Sequence, residues 1–180
     1  MALTRLGLNQ SINLATNITG TLATGNGGTG ATSFSPGKIS QVLSQTTSSG
    51  LTYNSTSFVA TPTKKAITPS ATSSKILVHV DSANCYEDYS VNSYSFVTMY
   101  RNVSGSGTDL GNGTKGFTGF YEQNIAYGDI GWNCSFNFLD SPNTTNEVEY
   151  EVFVRSSSTS ASYRWNFEGQ STITLMEVLA

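Results

Sequence analysis

The sequence predicts an all-β protein: an antiparallel, jelly-roll-like β-sandwich preceded by an extended N-terminal arm. Three observations carry this. Ser and Thr together supply 50 of the 180 residues and Asn another 15, while Asp, Glu, Lys and Arg make up only 12%, about half the usual share. That bias favours strands and turns over helix surfaces. From residue 38 onward apolar residues recur with period two between Gly/Asn/Ser turns, the pattern of half-buried antiparallel strands. Before residue 38 this pattern is missing, and "SPG" at 35–37 marks the change with turn chemistry.

The arm, residues 1–37, holds scattered aliphatics, Leu3, Leu6, Leu8, Ile12, Leu14, Ile18 and Leu22, and one aromatic, Phe34. Alone it buries too little apolar surface to offset its ordering entropy. It is expected to become ordered against a partner or against copies of itself. The domain, residues 38–180, opens with "KISQVLS" (38–44) and "SFVA" (57–60). "KKAITPSATSSKILVHV" (64–80) follows, with Ile76, Val78 and Val80 alternating against Leu77 and His79. "YSFVTMYR" (94–101) puts Phe96 and Tyr100 on one face. "IGWNCSFNF" (130–138) sets Ile130, Trp132, Cys134, Phe136 and Phe138 on one side. "EVEYEVFVR" (147–155) turns Val148, Tyr150, Val152 and Val154 inward, and "YRWNF" and "STITLMEV" complete the chain. About eight strands over roughly 140 residues point to a jelly roll.

Charge is divided along the chain. Residues 1–80 carry Arg5, Lys38, Lys64, Lys65 and Lys75 and no acid, and residues 81–180 carry all 12 acids against four bases. Five dispersed cations form no nucleic-acid stripe. No apolar run approaches the length that crosses a membrane. The first 15 residues lack a secretory signal's continuous apolar stretch, so folding in a cytoplasm is expected. Cys85 and Cys134 form no disulfide framework and have no metal-ligand spacing, which favours buried free thiols. Seven N-x-[ST] triplets are what such a composition supplies by chance.

Several constellations carry residue types that chemistry uses. Gly25, Gly27, Gly28 and Gly30 in "GNGGTG" match the G-x-G-x-x-G dinucleotide pattern. That reading needs a buried strand before, a helix after and an acid about 20 residues on, and none is present. The glycines instead permit positive φ or close backbone approach. His79 lies within a strand and reads as structural, because triad chemistry needs a nucleophile and an orienting acid. Glu147, Glu149 and Glu151 share a strand face; carboxylate pairs hydrolyse glycosides, but a solvated face or subunit seam is the plainer reading. The loop 101–117 offers Asp109 and Asn112, too few oxygens for a Ca²⁺ cage, and reads as a long hairpin loop. Among Tyr86, Tyr89, Tyr94, Trp132, Tyr163 and Trp165, a sugar-stacking platform is conceivable. Trp132 is assigned to the core, and Tyr86 and Tyr89 are the preferred exposed contacts. No cofactor and no catalytic residue is expected.

"NITGTLATGNGGTGATS" (17–33) resembles the glycine segment of tail fibres and related virion fibres of tailed bacteriophages. "SFVATPTKKAITPSATSSKILVHV" (57–80) and "STITLMEV" (171–178) resemble the C-terminal β-domain of such fibres in phages of marine and cyanobacterial hosts. The resemblance covers both ends of the chain and about a third of its residues. It implies a non-enzymatic homotrimer carried on a virion. In that setting Gly25, Gly27, Gly28 and Gly30 would let three backbones approach a common axis. Leu3, Leu6, Leu8, Ile12 and Leu14 would meet across that axis or grip another virion protein, of tail or capsid. The outward domain would contact the host surface, with glycan as one ligand class. The chain is shorter than many such fibres, which leaves open a short spike, a capsid decoration knob or a free carbohydrate-binding module.

Overall fold

The computed structural model describes residues 38–87, 91–122 and 130–179. The chain divides into two units, Met1–Gly37 and Lys38–Ala180, and the described residues fall in the second. Leu3, Leu6, Leu8, Ile12, Leu14, Gly25, Gly27, Gly28, Gly30 and Tyr89 lie outside them, and so do the readings placed on those positions.

The described residues contain no helix. They form eleven strands: β1 (Ile39–Thr47), β2 (Leu51–Tyr53), β3 (Val59–Ile67), β4 (Lys75–Glu87), β5 (Ser93–Val103), β6 (Ser106–Asp109), β7 (Thr118–Glu122), β8 (Ile130–Asp140), β9 (Val148–Ser156), β10 (Tyr163–Trp165) and β11 (Ser171–Val178). These fill eight positions. β1 pairs β11 and β2 pairs β10, while β11 and β10 share one edge of β4 because β8 takes the other. β7 and β6 likewise run along one edge of β5, opposite β9. One sheet is therefore β1/β2, β11/β10, β4, β8, and its partner is β3, β9, β5, β7/β6. Counted by position, the first strand pairs the last, the second the seventh, the third the sixth and the fourth the fifth. A single long antiparallel hairpin, rolled so that successive pairs alternate between two sheets, produces this order. It is the jelly roll that the alternation predicts.

The continuous run 64–80 belongs to two strands. β3 ends at Ile67 in one sheet and β4 begins at Lys75 in the other, with Pro69 in the crossing. Proline cannot donate to a ladder, and the serines after it suit a turn.

A crease runs across the first sheet, and asparagines hold it. The ladder of β4 and β8 shifts register between Ser82 and Cys85, and β1/β2 and β10/β11 break at the same level. Asn84 (φ 65°) and Asn166 (φ 59°) sit in the left-handed region, which Asn tolerates better than most residues. Asn166 Nδ2 donates to the carbonyls of Thr47 and Ser49 at 2.9 and 3.1 Å. Asn84 Nδ2 donates to Phe167 O at 2.8 Å, and its own N–H reaches Asn133 Oδ1 at 3.1 Å. Backbone groups freed by the bend thus keep partners.

Between the sheets lie Ile76, Val78, Val80, Ile173 and Leu175 from one side, and Val97, Met99, Val148, Val152 and Val154 from the other, all buried. Tyr163 and Trp165 are also fully buried. Cys85 and Cys134 are buried free thiols; burial pushes them up to about 11 and about 12, so neither is a ready thiolate at neutral pH.

One buried carboxylate is fully provided for. Glu177, inward on β11, accepts from Ser40 Oγ (2.6 Å) and Gln41 Nε2 (2.7 Å) on one oxygen, and from Ser70 N (2.6 Å) and Ser70 Oγ (2.7 Å) on the other. Burial alone would raise its pKa, but these donors outweigh it and hold the group at about 2, below its usual 4.5. A depressed folded pKa gives stability that is complete above about pH 4.5 and lost as pH falls toward 2. Glu177→Gln should therefore flatten the loss of melting temperature between pH 4.5 and 2, read by thermal melts of both proteins across that window. An unchanged acid slope would place the acid sensitivity elsewhere.

Candidate binding surface

The outward face of the second sheet carries exposed aromatic rings. Strand parity explains them: Val97 and Met99 of β5 turn inward, so Tyr94, Phe96 and Tyr100 point out. β7 pairs Tyr121 with Tyr94 and Gly119 with Phe96. The Tyr94 and Tyr121 rings lie 4.4 Å apart, and Tyr94 stacks on Phe96 at 5.3 Å and 7°. Gly119 leaves room for the Phe96 ring, since a Cβ there would come within 2.9 Å of Phe96 Cδ1. Tyr94 and Tyr121 remain 44% and 46% exposed. A shallow depression of about 260 Å³ opens beside them, bordered by Lys115, Gly116 and Phe117. Gly116 has φ +68° and packs its Cα side against Val97 O, so only glycine suits that corner.

A fixed cation borders the rings. Arg155 of β9 lies over Phe96 at 4.7 Å and Phe58 at 5.4 Å. Its Nε donates to Thr114 O at 2.9 Å and Nη1 to Thr56 O at 3.2 Å, with Nη2 also on Thr114 O. The guanidinium is held by backbone carbonyls, which leaves its cation–π contact preorganised. Tyr100 and Phe153, centroids 4.1 Å apart, extend the aromatic surface along the sheet. Tyr94 stacks on Phe96 while Tyr121 and Phe153 tilt against their neighbours by 34° and 32°, so the face offers aromatic edges and exposed tyrosine rings beside a cation.

Residues singled out from sequence fall in several places. Tyr86 lies on the outward face of the other sheet, half-buried, stacked on Phe167 at 4.6 Å with Arg164 over both rings. It is not part of the Tyr94 surface. Tyr163 and Trp165 are core. Trp132 is half-buried rather than fully enclosed, because β8 is an edge strand; it stacks on Phe120 at 4.3 Å and meets Tyr163 edge-on. Tyr121 was missed, since β7 is five residues long and shows too little alternation to be read.

The catalytic alternatives do not assemble. His79 Nε2 meets Asp81 Oδ2 at 2.6 Å, and Ser135 Oγ donates to Asp81 Oδ1 at 2.6 Å. Both partners bond the acid, so the histidine does not contact the hydroxyl, as nucleophile activation requires. Glu149 and Glu151 straddle Lys64 at 3.3 and 3.9 Å, which offsets one of their two charges and makes the face an ion-paired surface. Asp109 accepts from Thr98 Oγ1 (2.6 Å) and Gly111 N (3.0 Å), and its loop divides into the β6 strand and a turn at Asn112. Among the described residues, no group of three His, Cys, Asp or Glu is placed to hold a metal ion.

Searched by sequence, the chain matches no protein-family model and no curated protein. Among solved structures it is similar to the VP2 subviral particle of infectious bursal disease virus, at TM-score 0.44 and 9% identity, over 76% of this chain and 32% of that one. It is also similar to the structure of the Gx strain of the same virus, at TM-score 0.33 and 13% identity, over 78% and 37%. The chain spans about a third of the length of those chains, and likeness this slight bears on no functional question.

Proposed function

We propose that the chain is a virion structural protein, a short trimeric fibre or spike whose residues 1–37 anchor it and whose jelly roll contacts the host surface. The observation that carries the contact role is the exposed Tyr94–Tyr121 pair with Phe96 and Arg155 on an outward sheet face. Resemblance of the glycine segment to phage fibres supports the virion setting and the trimer. Stacking rings with polar rims fit the C–H face of a sugar, and three such faces per trimer would compound weak affinities. The protein on this reading is not an enzyme and needs no cofactor.

The Tyr94→Ala/Tyr121→Ala double variant should fold, because both side chains face solvent. It should lower adsorption of assembled particles to host cells by about tenfold or more, equal to ~1.4 kcal/mol or more. Adsorption equal to wild type would remove this face from attachment. Labelled protein imaged on virions tests the location: label at the tail supports the fibre, and label over the head replaces it with a capsid decoration protein.

A further inference from the structure

The end of the sandwich opposite Glu177 holds two inward carboxyls, of which Glu87 takes hydroxyl donors from Ser93 and Tyr163 and Glu122 takes none among the described residues. Glu87 ends β4 in one sheet, Glu122 ends β7 in the other, and they are 1% and 2% exposed. Ser93 brings them together, since it is the register partner of Glu122 and its side chain contacts Glu87. Ser93 Oγ donates to Glu87 Oε1 at 3.3 Å and meets Tyr163 OH at 2.5 Å. Glu87 Oε2 and both oxygens of Glu122 are buried without a donor among the described residues. The contrast with Glu177, whose oxygens take four hydrogen bonds, is sharp. No lysine or arginine is among the groups acting on Glu87.

We propose that Glu87 and Glu122 bind a hard divalent cation, such as Ca²⁺, between the two sheets. Oxygen counting favours a metal over a proton. A shared proton joins two oxygens and leaves one oxygen of Glu122 with nothing, whereas a cation coordinates all three. The neighbouring groups are oxygens as well, Ser93 Oγ and Tyr163 OH, and hard cations take oxygen donors of this kind. Nitrogen or thiolate ligands, which softer metals prefer, do not join them among the described residues. Burial and then the adjacent Glu122 carboxyl push Glu87 above its usual carboxylate range, the direction expected where two buried carboxyls meet without a cation between them. The other titratable groups on the site are Tyr163 of β10 and, behind it, Tyr53 of β2; burial raises both further, and they stay protonated.

Tb³⁺ tests the site directly, because Trp132 packs on Tyr163 at 5.9 Å and both can sensitise a bound lanthanide. Full-length protein stripped with chelator should give sensitised Tb³⁺ emission at pH 8.5 that excess Ca²⁺ displaces. Ca²⁺ at about a hundred times its Kd should raise the melting temperature by about 5 °C or more. Glu122→Gln and Glu87→Gln should each abolish the emission and the shift. Emission and shift that persist in both variants overturn the proposal. So does a wild-type protein that neither sensitises Tb³⁺ nor responds to Ca²⁺, a result independent of how the variants fold. A melting temperature that falls from pH 6 to 8.5 and ignores Ca²⁺ assigns the pair a shared proton instead.

Discussion

Trp165→Ala is expected to destabilise the jelly roll by about 3–5 kcal/mol and to lower its melting temperature by about 10 °C or more. Trp165 lies on β10, only three residues long, squeezed between β2 and β4, and its side chain is fully buried. Its Nε1 donates to Thr63 Oγ1 at 2.9 Å, and Thr63 belongs to β3 in the opposing sheet. Truncation opens a cavity large enough that neighbours refill it only in part. It also leaves the buried Thr63 hydroxyl without its donor. Trp165→Phe separates the two costs, keeping most of the volume while losing the hydrogen bond, and should cost about 1–3 kcal/mol. Denaturant unfolding followed by circular dichroism reads both. A loss under about 1 kcal/mol for the alanine variant would mean that the pocket collapses around the gap.

Parity made much of the domain legible. In β8 and β9 the alternation named the inward residues, because apolar side chains there fill the core face; Phe153, apolar yet outward on β9, escaped it. The jelly-roll class followed from the number and spacing of such runs. Three kinds of feature escaped. β2, β6 and β7 are too short for a period to register, and each exists because a neighbouring strand supplies its ladder. The break between β3 and β4 is a change of sheet, which local pattern reports only through Pro69. Polar residues that face inward contradict the rule used to read the rest: Glu87, Glu122 and Glu177 would all be placed on the surface by composition. Tyr94, named among the stacking rings but not preferred over Tyr86 and Tyr89, is a large aromatic that parity turns outward. The candidate surface and the carboxylate pair both belong to these exceptions, since each depends on residues brought together from strands distant in the chain.

The second large effect is expected at Asp140. Its carboxylate accepts from Arg101 Nη1 at 2.9 and 3.0 Å and from Tyr150 OH at 2.7 Å. Arg101 and Tyr150 are register neighbours on β5 and β9, while Asp140 ends β8 in the other sheet. The group therefore ties the sheets together through charge at the end where Glu177 also lies. Side chains of Arg101 and Asp140 are 21% and 11% exposed, enough burial that a lone charge is costly. Asp140→Ala should cost about 3 kcal/mol, because it strands the guanidinium and the Tyr150 hydroxyl at once. Tyr150→Phe should cost about 1–2 kcal/mol, since the carboxylate keeps its arginine. Replacing both charges, as Arg101→Met/Asp140→Leu, should cost less than Asp140→Ala alone, because no unpaired charge is left behind. The cycle of single and double variants measures that coupling. If the double variant is instead as unstable as the sum of its singles, the pair contributes through packing and not through charge, and the sheets are joined here by shape alone.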